Sequence, residues 1–331
     1  MKAFFSCILL FMVGPLAANN AFEQARTEAL TNPAATIELF AAQQSVLSST
    51  PAWHQRDWLV LASRAYTRLK RYAEAEQSLQ RADALLSEGI SKTDLLLAAG
   101  FVNFMQQKFQ AAFYWYQCSA RINLPPIEQA RVQMSLGQIA YMQGDLARAK
   151  ANFEHSLTAA KLYQQAPLEA LLQNNLGLVL WRQQQYQPAI ARLRQAMYGY
   201  TQLKEQYSLQ MASLNLLTVV TSQQDWPAFD RYARSITSNI DHKAPADLQN
   251  YLAFLQEIRQ AKLPLSAQSQ QKLRQLATNL DMPGLAHNAA QLLQQFNAAL
   301  PAAELARRNP QQDLRLPNLE QICGPYKIAT R

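Results

Sequence analysis

Glycine and charge are both in short supply. Only nine glycines occur in 331 residues, and charged types make up 16% of the chain, against a usual level of roughly 25%. Val, Ile and Thr rarely alternate with polar residues, so strands have little support. Four histidines, His54, His155, His242 and His287, share no spacing suited to a metal ion. No Cys-x-x-Cys, His-Glu-x-x-His, nucleophile elbow or phosphate-binding glycine loop occurs. Catalysis needs an activated group beside a positioned partner, and no such pair stands out. The expectation is therefore no enzyme, no cofactor, no metal and no catalytic residue. What is plentiful is apolar surface, 49% of the residues, with Gln and Ala filling the remaining positions, as befits an all-helical protein.

The N-terminus reads as an address. Lys2, the apolar run Ala3 to Val13, the Gly14-Pro15 break and then Leu16-Ala17-Ala18 form a secretory signal peptide over residues 1–18, cleaved after Ala18 or Ala21. The run is shorter than the roughly 20 residues needed to span a bilayer, and Cys7 precedes most of it, a poor match to a lipidation signal. No other stretch is long and apolar enough to cross a membrane, so the mature chain is expected to be exported, most simply to a periplasm. The formal charge of +8 is spread without a dense Lys/Arg run. With export, that argues against nucleic acid and leaves acidic peptides, anionic lipid or cell-wall polymer as attracted partners. Cys118 and Cys323 remain after cleavage. An oxidising compartment permits a bridge between them, but one falls in an expected helix and the other in the C-terminal tail, and the sequence does not show that they meet.

A repeat organises the middle of the chain. Small residues stand at Ser63, Gly100, Gly137 and Gly177, with Leu217 aligned to them. Nine positions after each comes a large apolar residue, Tyr72, Phe109, Leu146, Tyr186 and Trp226. An alanine follows at Ala75, Ala112, Ala149, Ala189 and Ala228, and four further on a bulky residue at Leu79, Tyr116, Phe153, Leu193 and Tyr232. A small residue lets two antiparallel helices approach, and bulky neighbours fill the flanking gaps. One such pair cannot bury both its faces, so pairs must stack. The Leu217 unit departs from the pattern: it lacks the small residue and its turn counts one shorter, which predicts looser packing or a change of pitch there. Beyond residue 240 three more helices are expected, Asp247 to Lys262, Ser266 to Leu280 and Leu285 to Leu300, closing the stack. An extended tail from 309 to 331 packs back through Leu314, Leu316 and Leu319.

Leu136-Gly137, Gly144-Asp145, Ala149, Phe153 and Leu157, and then Asn175-Leu176-Gly177, Tyr186, Ala189, Ala196 and Met197, resemble the tetratricopeptide repeat in a longer variant of 37 to 40 residues. The resemblance implies an all-α, right-handed superhelical solenoid of about six antiparallel helix pairs over residues 19–240. Capping helices over 241–308 and the tail over 309–331 would follow.

Each helical residue rotates about 100°, so residues one, four and five after the small residue turn together to a neighbouring side. In solenoids of this kind that side lines a concave groove. The candidates are Arg64 and Arg68, then Phe101, Phe104 and Met105, then Gln138, Tyr141 and Met142, then Leu178, Trp181 and Arg182. Arg131, Met134, Asn174, Asn175 and Asn215 look to the same side. Aromatic and methionine anchors bordered by arginines are what protein-binding hot spots use, and such surface is rarely left exposed without a role. The resemblance further implies that Asn174, Asn175 and Asn215 hydrogen-bond the backbone of an extended peptide. The expected function is an exported scaffold that holds a peptide or protein segment, with an acidic one favoured, for assembly or sensing of an envelope complex. A carbohydrate or cell-wall polymer-binding accessory protein is the alternative. The oligomeric state is left open.

Overall fold

The computed structural model describes residues 15–29, 32–86, 92–240, 244–261, 263–298 and 314–324. Most of the expected signal peptide, His242 and much of the tail lie outside the described residues. The chain divides into two compact units, Met1–Ile90 and Ser91–Arg331, and every described element is a helix, a turn or a short connection.

The first unit holds α1 (Pro15–Glu28), α2 (Pro33–Leu47), α3 (Ala52–Arg68) and α4 (Tyr72–Ala84). Asn32 caps α2 by accepting a bond from Ala35 N at 3.2 Å, with Pro33 in the first turn where its missing N–H is no loss. Thr50 does not repeat this device. Its hydroxyl donates back to Leu47 O at 2.8 Å, and α3 begins without a side-chain cap. The core is aromatic: Trp58 is fully buried between Phe22 and Phe40. Its indole N–H donates to His54 Nε2 at 3.2 Å, which makes His54 a satisfied core histidine.

The second unit runs α5 (Thr93–Met105), α6 (Phe109–Arg121), α7 (Pro126–Met142), α8 (Leu146–Leu162), α9 (Ala166–Arg182), α10 (Tyr186–Leu203), α11 (Gln206–Ser222) and α12 (Trp226–Asn239). Then come α13 (Ala246–Gln260), α14 (Ala267–Thr278), α15 (Pro283–Gln295) and α16 (Pro317–Cys323). Successive helices pack as antiparallel pairs, and the repeat's size pattern is the reason. Gly100 faces the Tyr116 ring, Gly137 faces Phe153 and Gly177 faces Leu193. A Cβ would come within 2.6 Å of Phe153 at Gly137 and within 2.7 Å of Leu193 at Gly177.

Gly100→Ala should therefore lower stability by about 2 kcal/mol in urea denaturation, since overpacking outweighs the roughly 1 kcal/mol that alanine gains in a helix. Gly284→Ala, where nothing lies within 4 Å, should be neutral or stabilising. Equal effects at the two sites would refute the close-approach account.

Five of the turns inside pairs share one form. Lys70, Gln107, Gly144, Gln184 and Gln224 all have φ between 56° and 82°, each seven residues after the small position. Glycine is suited to that left-handed conformation, yet only one of the five turns has it. This register corrects the expectation for the Leu217 unit. Its turn residue, Gln224, and its second helix, starting at Trp226, keep the spacing of the other units, so the turn is not shorter. The position read as Ala228 belongs to Phe229, which is 2% exposed, and the bulky position is held by Ala233 rather than Tyr232. Leu217 is fully buried and Ala233 packs against the same cluster. The large and small partners have changed sides, and the packing is not loose.

Ser266 caps α14 through Ser269 N at 3.1 Å, as its type and position predict. The C-terminal tail is not wholly extended, because Pro317–Cys323 is helical. Leu314, Leu316 and Leu319 are buried as expected. A bridge between Cys118 of α6 and Cys323, Cα–Cα 5.3 Å, anchors this tail, and the Tyr114 hydroxyl donates to Gly324 O.

Candidate functional site

The candidate stripe of the second unit lies on the first helix of each pair, and it is occupied along much of its length by the chain itself. The occupant is α15. Its buried residues Leu285, Asn288, Ala289, Leu292 and Leu293 follow one helical stripe, and the polar member, Asn288, is only 1% exposed. A buried carboxamide needs partners for both its ends. Asn288 Oδ1 accepts from the Tyr141 hydroxyl of α7 at 3.0 Å, and its Nδ2 donates to Asn215 Oδ1 of α11 at 3.2 Å. The chain of amides continues from Asn215 Nδ2 to Asn174 Oδ1 at 2.9 Å and from Asn174 Nδ2 to Asn175 Oδ1 at 3.3 Å. At the C-terminal end of α15, Gln295 accepts from the Ser222 hydroxyl at 2.5 Å and donates to Ser222 O at 2.7 Å.

A charged contact stands beside this network. Arg182 Nη1 of α9 lies 2.6 Å from His287 Nε2. Guanidinium can only donate, so that ring nitrogen must be unprotonated and the imidazole neutral. Burial, and then the Arg182 charge, pull the His287 pKa down to about 4. The Tyr141 ring meets His287 edge-on at 5.3 Å and lies 5.6 Å from the Arg182 guanidinium. Burial holds the Tyr141 phenol well above its ordinary range even with Arg182 nearby, so it stays a neutral donor.

The stripe therefore does what helical geometry requires: Tyr141, Arg182, Asn215 and Ser222, from three successive repeats, look to one side and meet one object. That side is not an open groove over this part. Tyr141, Asn174, Asn175, Trp181 and Asn215 are all less than 9% exposed, because the chain supplies the surface that covers them. Asn174, Asn175 and Asn215 bond one another and Asn288 rather than facing an empty channel.

The rest of the stripe is less covered. Phe101, Phe104 and Met105 of α5 and Met134, Gln138 and Met142 of α7 are half-buried, as are Leu178 and Arg182 of α9, while Arg131 is exposed. Phe104 stands edge-on to Phe109 at 5.6 Å. Met134, Met142 and Leu178 pack against the cluster containing Phe153 and Leu176. Arg64 and Arg68 are half-buried on α3 of the first unit.

Residues 128–202 match the tetratricopeptide repeat family. That match covers α8, α9, nearly all of α10 and most of α7. No curated protein matches the chain. Among solved structures, a Rap protein complexed with competence and sporulation factor is 13% identical with a TM-score of 0.59, over 88% of this chain and 89% of that one. The Rap conjugation gene regulator of the plasmid pLS20, in complex with a Phr peptide, is 14% identical with a TM-score of 0.57, over 85% and 96% of the two chains. Aspartyl phosphate phosphatase F from Bacillus subtilis is 10% identical with a TM-score of 0.56, over the full length of both. Identities this low speak for a shared all-α repeat fold and nothing finer.

Within the helical stack, sequence reasoning missed His287, Asn288 and Gln295. An asparagine inside the apolar stripe of α15 was the available signal, since a polar residue there demands a partner. Nothing in the sequence says which helix supplies it. His155 is exposed on α8. Among the described residues no group of three or more His, Cys, Asp or Glu could hold a metal ion, and no helix is long and apolar enough to cross a membrane.

Proposed function

We propose that this protein is an exported scaffold that binds a peptide or protein segment on the half-buried stripe of α5 and α7, in the service of an envelope assembly or sensing complex. The observation that carries this reading is the set Phe101, Phe104, Met105 and Met134. These are large apolar side chains left partly exposed on the binding side of a tetratricopeptide stack whose neighbouring section is already covered. Apolar surface of this kind is kept for a partner. Arg131, exposed on the same helix as Met134, supports an acidic group in that partner. Of the similar structures, one holds competence and sporulation factor and another a Phr peptide, which supports the class of ligand. The Cys118–Cys323 bridge supports export, because disulfides persist in oxidising compartments.

The test is a photo-crosslinking residue placed at Phe104 in living cells, against the same residue at the exposed outer position Glu154. A discrete adduct should form from 104, fall at least tenfold when Met134→Ala is added, and be absent from 154. No adduct from 104 above the 154 level would refute the stripe as the binding site.

A further inference from the structure

The contact between α15 and the repeats has the form of a ligand in a site. It joins α15 to α9 and α11 through a shared apolar cluster and to α7, α9 and α11 through side-chain hydrogen bonds that keep a regular register. Asn288 meets Asn215 and, seven residues on, Gln295 meets Ser222. Seven residues are two helical turns, so the two carboxamides share a face of α15 and the two receiving groups share a face of α11. The fit is incomplete. Asn175 Nδ2 and Thr221 Oγ1, both buried on these repeats, have no hydrogen-bond partner, and a buried donor left unpaired favours any occupant that satisfies it. One further contact, Arg182 to His287, holds only while the imidazole is neutral.

We propose that α15 is an intramolecular stand-in for the partner. On this proposal the site on α7, α9 and α11 takes an amphipathic helix carrying carboxamide side chains seven residues apart, and residues 283–295 hold that place until such a helix displaces them. This rests on the scaffold reading and adds to it both a chemistry for the partner and a closed state. A helix laid into a groove by anchors at regular spacing is an established mode of peptide recognition. A tethered copy competes at an effective concentration on the order of millimolar, which explains how the site stays closed without a partner.

The experiment uses the full chain and a fluorescein-labelled peptide of residues 281–297, followed by anisotropy. The unaltered protein should bind the peptide weakly. Asn288→Ala with Gln295→Ala in the protein, which weakens only the tethered copy, should tighten peptide binding at least tenfold. Adding Asn215→Ala on the receiving side should abolish that gain. Equal affinity in the unaltered and doubly substituted chains, with helical circular dichroism retained, would overturn the proposal. If the double variant loses helicity, hydrogen exchange of the unaltered chain decides. Millimolar peptide should speed exchange across 283–295 at least threefold, and unchanged exchange there would overturn the proposal. The crosslink at Phe104 separates the two readings. An adduct there with no peptide gain leaves the scaffold standing without the stand-in, and a peptide gain with no adduct does the reverse.

Discussion

Replacing Cys323 with serine should lower the unfolding free energy by about 4 kcal/mol. The bridge it makes to Cys118 spans 205 residues of sequence, more than half of the chain. Constraining so long a loop removes much of the unfolded chain's freedom. The loop-entropy relation gives about 5 kcal/mol at this length, and native disulfides ordinarily deliver somewhat less. The effect should also be local, since the bridge seats α16 and the buried leucines Leu314, Leu316 and Leu319. Urea denaturation with and without dithiothreitol checks it. Reductant should lower the midpoint of the unaltered chain to that of Cys323→Ser, and should leave the variant where it is. An unaltered midpoint that ignores reductant, with free thiols verified, would show that the bridge contributes nothing.

Acid should destabilise the closed form through His287 by about 3 kcal/mol. The sign follows from the direction of the shift. The folded-state pKa lies near 4, while an unfolded histidine titrates near 6.5. Below pH 6.5 the unfolded chain takes up a proton that the folded site refuses, because burial disfavours the cation and Arg182 already stands 2.6 Å away. Stability is therefore complete above pH 6.5 and is lost as pH falls from there to about 4. His287→Gln keeps an acceptor for Arg182 and removes the titration. The unaltered chain should lose about 2.4 kcal/mol more than the variant between pH 7 and pH 4.5, read as paired urea midpoints, and hydrogen exchange at 283–295 should quicken over the same range. Parallel curves for the two proteins would remove His287 as the cause. The groups facing it, Arg182 and Tyr141, do not change charge in this window, since the guanidinium stays protonated and burial holds the phenol neutral.

The repeat was legible because it depends on residue size at fixed spacing. Gly100, Gly137 and Gly177 meet Tyr116, Phe153 and Leu193 in three dimensions as they pair in sequence. Counting failed only at the Leu217 unit. There the alignment followed an alanine, whereas the chain preserved the turn and exchanged the large and small partners. The left-handed turn residues were hidden for a related reason: three glutamines and a lysine occupy a conformation that sequence reading assigns to glycine.

The sequence alone determined that this is a stack of helix pairs and which side chains share one side of its first helices, because helical rotation and close packing act over a few turns of one chain. Tyr141, Arg182 and Asn215 were placed together on that basis, and they are together. What covers them was decided only by tertiary structure. Asn288 stands 147 residues from Tyr141, and Cys118 stands 205 from Cys323. At such separations no periodicity links the partners, and the contact is set by how the whole stack brings its C-terminal helices home.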